Sequence, residues 1–129
     1  MGFFLDVSAE DLPEDLMMTA RKTLQVSCAQ LHWAKSLAPN LEQTLHYIRL
    51  AASEGSRVVL FPEANLTGYY FPDVVKLSPE AVQESLDQTC DAAAEAGIWV
   101  IAGSLRKTPD RFLNIAHVIC PEGKIIHEY

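Results

Sequence analysis

The stretch "VVLFPEANLTGYY", Val58 to Tyr70, carries the residues best suited to chemistry. Four apolar residues run into Pro62 and then into a carboxylate, Glu63. Pro62 fixes φ and stops a strand from continuing, so Glu63 is presented from a stiff mount. Gly68 lets the loop fold back closely. Tyr69, Tyr70 and Phe71 can wall a pocket and exclude water. An acid sheltered in this way has its pKa raised toward the range of a general base. The same pattern also arises where a buried strand simply reaches solvent, and the residue types leave both readings open. The other reactive residues have no such setting. Cys28 falls in a strand pattern, Cys90 in a helix and Cys120 just before a turn, each reading as a small buried hydrophobe. His117 and His127 would face each other if Cys120 pairs with Lys124. Two such ligands without a third read as surface histidines, not as a metal site. His32 and His46 have no partner at ligand spacing, and Lys107 reads as a solvated loop lysine.

The elements that must position Glu63 follow from hydrophobic period. In "TLQVSCAQL", Leu24, Val26 and Cys28 alternate with Gln25, Ser27 and Ala29, a strand pattern. "SLAPNLEQTLHYIRLAASEG" predicts a helix with Asn40 as N-cap, Gln43 closing a capping box and Gly55 as the stop. Leu41, Leu45, Ile48 and Ala52 form its apolar face. "RVVLF" is short and wholly apolar after its arginine, as a strand buried on both faces is. "SPEAVQESLDQTCDAAAEAG" predicts a second helix, capped by Ser78, opened by Pro79 and closed by Gly97. "IWVIAG" is another buried strand. The order β-α-β-α-β predicts parallel strands with crossover helices. "FLNIAHVIC" and "KIIHEY" then form a hairpin across "PEG", with Gly123 where φ turns positive. The fold class is α/β. In such sheets sites lie beyond the carboxyl ends of the strands, where Glu63 is expected.

The wording of these segments resembles the nitrilase, or carbon–nitrogen hydrolase, superfamily. "FPEANLTGYY" is similar to its first catalytic motif, a Phe-Pro-Glu triplet leading to Leu-Thr-Gly-Tyr. "LQVSCAQL", "NLEQTLHYIRLAASEGSRVVLFPE", "IWVIAGSLRK" and "FLNIAHVICPEGKIIHEY" resemble its opening strand, first helix and second strand, third strand and hairpin. The likeness runs in one register from about Leu24 to Tyr129. It implies half of a four-layer α-β-β-α sandwich, and hydrolysis of amides, N-carbamoyl compounds or nitriles by a Glu, a Lys and a Cys without metal or cofactor. By resemblance Glu63 is the base, Tyr69 and Tyr70 line the substrate pocket, and Asn114 is a structural residue near the site. The family's Lys comes one residue beyond the hairpin Tyr and its Cys later still, whereas these residues stop at Tyr129. The chain is therefore expected to be the N-terminal part of such an enzyme, inactive alone, with the inner face of its sheet uncovered. The resemblance also implies a homo-oligomer.

Composition agrees with a small globular domain: 129 residues, 49% apolar and 21% charged. A net charge of −7 and a pI near 4.9 argue against nucleic acid and against anionic membrane surfaces. No apolar run approaches the roughly 20 residues that span a bilayer. Three widely spaced cysteines without C-x-x-C suggest a reducing, cytoplasmic setting. Residues 1–22, acidic and lacking a basic start, read as a poorly ordered extension and not a signal peptide, with the hydrolase domain over 23–129. A noncatalytic module that pairs through its open sheet is the alternative. A nucleotide-binding domain is disfavoured, because "LHWAKSLAPN" has no glycine-rich phosphate loop.

Overall fold

The computed structural model describes residues 23–32 and 34–129; the expected extension 1–22 lies outside them. Strand β1 (Val26–Cys28) leads to helix α1 (Leu37–Ser53), β2 (Val58–Leu60), a short α2 (Phe71–Val74), α3 (Pro79–Ala96), β3 (Trp99–Lys107), β4 (Phe112–Ile119) and β5 (Ile125–Glu128). The sheet order is β1-β2-β3-β4-β5. β1, β2 and β3 run parallel; β4 and β5 are antiparallel additions. Among the described residues no helix is long and apolar enough to cross a membrane.

The two crossover helices pack against each other and on the same face of the sheet. That follows from the right-handed β-α-β connection repeated in one direction across the sheet. Between helices and sheet lie Ile48, Ala51, Val59, Phe61, Leu66, Leu86, Ala93, Val100 and Ile119, all buried. The second helix is bounded as its residue types predict: Ser78 Oγ accepts from the Ala81 N–H at 3.1 Å, and Gly97 closes it at φ 66°. The hairpin also forms as expected. Gly123 (φ 73°) completes a three-residue turn in which the Cys120 N–H donates to the Lys124 carbonyl at 2.9 Å.

Four expectations are corrected. Asn40 does not cap α1, which begins a turn earlier after Ser36. Pro39 fits inside that first turn because the first N–H groups of a helix have no intrahelical partner. The capping box is absent too: Gln43 Nε2 instead reaches the His32 carbonyl at 3.3 Å. Second, β2 is not buried on both faces; Val59 is 1% exposed, but Leu60 is 40% exposed. Third, Cys28 is exposed, not a core residue. Ser27 turns to the helix side, its hydroxyl 2.6 Å from that of Ser56, and so its neighbours face away from the helices. Fourth, His117 does not oppose His127. The ladder slips between Val118 and Ile119, Ile126 is the extra residue, and His117 pairs with Glu128 while His127 falls opposite Val118. His117 is fully buried where a surface histidine was expected.

Among the described residues nothing covers the face away from the helices. Leu24, Val26 and Leu60 are 63%, 50% and 40% exposed across neighbouring strands.

Candidate active-site loop

The loop after β2 begins at the carboxyl end of the parallel strands and completes β3, which outruns β2. β2 ends at Leu60, whereas β3 continues to Lys107. The edge of β3 beyond β2 would carry bare peptide groups, and the loop satisfies them with backbone and side chains. The Phe61 N–H donates to the Ile101 carbonyl at 2.9 Å and the Leu66 N–H to the Gly103 carbonyl at 3.0 Å. The Gly103 N–H donates to Asn65 Oδ1 at 2.7 Å, and the Leu105 N–H to Thr67 Oγ1 at 3.0 Å. Asn65 and Thr67 thus stand in for a strand.

A buried polar chain ties this loop to α1. Asn65 Nδ2 donates to Thr44 Oγ1 at 2.9 Å, and Thr44 Oγ1 to the Asn40 carbonyl at 2.8 Å. Asn40 Nδ2 donates to the Leu66 carbonyl at 3.2 Å and to the Ala34 carbonyl at 3.0 Å. All three side chains are buried and each has partners, the condition for a polar network to rigidify its surroundings. Ala64 sits at φ 50°, unusual for a residue with a side chain, where the loop crosses directly over Gly103. A Cβ at Gly103 would lie 2.4 Å from the Ala64 nitrogen. The loop therefore lies against bare backbone.

This frame holds the Glu63 side chain. Asn114 Nδ2, from β4, donates to Glu63 Oε1. Tyr69 stands beside the same carboxylate, and desolvation together with the neighbouring Glu63 pushes its phenol up to about 12. Tyr70 stands alongside with Lys35 Nζ 4.9 Å from its ring centre, a cation–π arrangement. The structure thus brings Glu63, Tyr69 and Asn114 together. It does not shelter Glu63 as expected: the residue is exposed, and Tyr69 and Tyr70 are 41% and 44% exposed beside it. Leu31, His32, Asn40, Gln43, Pro62 and Asn65 line a shallow cleft with Glu63. Cys120 lies toward the hairpin turn, six strand residues, or about 20 Å, along β4 from Asn114. Cys90 backs onto that turn, with its carbonyl against Gly123.

Sequence reasoning missed Asn65, Thr67, Thr44 and Asn40 as the scaffold of the loop. The available signal was length: the apolar run of β3 exceeds that of β2, so something else had to satisfy its edge.

The carbon–nitrogen hydrolase family model matches residues 25–129. Curated proteins similar to the chain include omega-amidase NIT2 of Mus musculus, 28% identical over 81% of this chain and 38% of its own length. Omega-amidase NIT2 of Homo sapiens is 26% identical over 83% and 39%, and a nitrilase of Pyrococcus abyssi is 29% identical over 67% and 34%. Among solved structures, an amidase from Nesterenkonia sp. superposes with a TM-score of 0.73 at 22% identity, covering 82% of this chain and 41% of that one. A mutant of the Nesterenkonia sp. AN1 amidase in complex with butyramide gives a TM-score of 0.74 at 22% identity, covering 82% and 42%. The chain thus spans less than half the length of these relatives.

Proposed function

From the premise that this chain belongs to the carbon–nitrogen hydrolase family, we propose that it forms the Glu-bearing part of a hydrolase of small amides, with N-carbamoyl compounds and nitriles as related substrates. One observation carries this reading: Glu63 sits beyond the carboxyl ends of the parallel strands, bonded by Asn114 with Tyr69 beside it, in a loop bonded rigidly to β3 and α1. In this reading Glu63 takes the proton of a cysteine thiol. The thiolate attacks the amide carbon, ammonia leaves, and water cleaves the resulting thioester. A lysine ammonium steadies the oxyanion that develops. In this reading neither the lysine nor the nucleophilic cysteine is assigned among these residues. Tyr69 and Tyr70 line the substrate pocket. No cofactor takes part. The protein is a cytoplasmic homo-oligomer, consistent with three unpaired cysteines. Residues 1–22 are an extension to a domain over 23–129.

The test is ammonia release from short aliphatic amides and N-carbamoyl amino acids by the protein as encoded in its gene, compared with Glu63→Gln. General-base catalysis contributes roughly 100-fold or more, so the variant is expected to fall by at least that much. Full turnover by Glu63→Gln would remove Glu63 from the role. A second reading, a noncatalytic module that pairs through its sheet, is favoured by the exposed Leu24, Val26 and Leu60. It predicts no ammonia release and concentration-dependent association.

A further inference from the structure

A second cluster of reactive groups lies on the helix side of the sheet. A cleft of about 540 Å³ opens there between the first half of α3 and the β3–β4 ladder. Its lining combines apolar Val82, Leu86, Leu105 and Phe112 with charged residues of α3 and β3, and the buried Ser104 and His117 lie at its floor. That size and mixture suit a small ligand with an apolar body and one polar centre.

Ser104 Oγ lies 2.7 Å from His117 Nε2. His117 Nδ1 lies 3.0 Å from Glu128 Oε1, close but without hydrogen-bond alignment. The register makes this grouping. His117 pairs with Ala102 on β3 and with Glu128 on β5, and Ser104 follows Ala102 on the same face. The bulge in β5 is what turns Glu128, and not His127, toward His117. Arg106 holds the carboxylate with both guanidinium arms, at 2.5 and 3.1 Å. Burial pushes the His117 imidazole below its ordinary pKa despite Glu128, so it is neutral near pH 7 and able to accept a proton.

We propose that Ser104, His117 and Glu128 form a second, nucleophilic site that takes small esters with an apolar acyl chain, Ser104 being the residue acylated. The order nucleophile, base and orienting carboxylate is that of acyl-transfer sites, recognised by geometry and not by chain position. Ser104 Oγ adds to the ester carbonyl carbon as its proton passes to His117 Nε2. The ester C–O bond then breaks and the leaving alcohol takes that proton. Water, giving a proton to the same nitrogen, cleaves the acyl–Oγ bond; the acid leaves and Ser104 recovers its proton. Glu128 is a positioning residue whose charge, 3.0 Å from Nδ1, favours the imidazolium that forms, and Arg106 fixes Glu128.

The experiment treats the protein with an alkyl fluorophosphonate and follows intact mass, peptide mapping and p-nitrophenyl butyrate hydrolysis, with circular dichroism on every variant. The expected result is one adduct on Ser104, absent in Ser104→Ala, and labelling about 100-fold slower in His117→Gln. Labelling weakens in acid as His117 takes up a proton, and in Glu128→Gln that midpoint moves to lower pH, because the carboxylate no longer favours the imidazolium. If His117→Gln does not fold, Glu128→Gln decides alone through this shift. A folded protein without an adduct on Ser104, or with labelling indifferent to both His117→Gln and Glu128→Gln, overturns the proposal.

Discussion

At the scale of the residue, Glu63 is held by a donor from a separate element, Asn114 of β4, with Tyr69 of its own loop beside it. Asn114 fixes the direction of the Glu63 side chain, so in the proposed hydrolase it acts on the reaction through Glu63. Tyr69→Phe and Asn114→Ala are each expected to lower kcat for amide hydrolysis by up to about 100-fold, the penalty of misplacing a reacting group by an ångström. Steady-state kinetics check this, with KM changing less than kcat for Asn114→Ala. Gly103 is as exacting for a steric reason. Gly103→Ala drives a Cβ into the Ala64 peptide and is expected to destabilise the protein by about 2 kcal/mol in urea unfolding. His117 contributes a pH dependence of known sign. Its pKa is lowered in the folded chain by burial, so the unfolded chain binds the proton more readily and stability falls as pH drops below about 6.5. Glu128, lowered chiefly by Arg106, adds a second loss below about pH 4.5. Thermal unfolding from pH 8 to 4 should show the first decline, and His117→Phe should flatten it.

At the scale of the element, the loop after β2 behaves as part of the sheet. Its side chains complete the β3 ladder, and the Asn40–Thr44–Asn65 chain bolts it to α1. Asn65→Ala removes the acceptor of a buried N–H and the partner of Thr44, and is expected to cost about 3 kcal/mol, more than most single substitutions. Hydrogen exchange at the Gly103 amide reports the same change locally. The residues of α3 announced both its ends, because Ser78, Pro79 and Gly97 act on groups a few bonds away. α1 did not obey its apparent cap. Asn40 looked like a helix start, but its side chain has a stronger use, bonding Ala34 and Leu66 from inside the helix. Local capping rules do not foresee a partner 26 residues away. The apolar face of α1 was legible, since Leu41, Leu45 and Ala52 pack against the core beside Ile48, but its polar part was not. Ile48 is in the core, yet the buried line includes Asn40 and Thr44, polar residues that hydropathy assigns to solvent.

At the scale of the whole molecule, the described helices cover one face of the sheet, and among the described residues the other is bare, with Leu24, Val26, Leu60 and the exposed Cys28 on it. Apolar sheet surface of this kind associates unless it is covered. Leu60→Asp is expected to reduce self-association of the 129-residue chain in sedimentation velocity while leaving its helical circular dichroism intact. An unchanged association state would show that this face is not the contact.

The amino-acid sequence by itself determined the α/β class, the order of the elements, both ends of α3, the hairpin turn at Gly123 and the position of Glu63 past a strand end. Each depends on hydrophobic period or on backbone preferences that act within a few residues. Tertiary structure alone decided that Glu63 stands exposed between Tyr69 and Asn114, and that Asn65 and Thr67 finish the β3 ladder. It also decided that one extra residue in β5 swaps His127 for Glu128 opposite His117. Those outcomes depend on which strand outruns its neighbour and where a ladder slips, and such relations exist only once distant segments lie side by side.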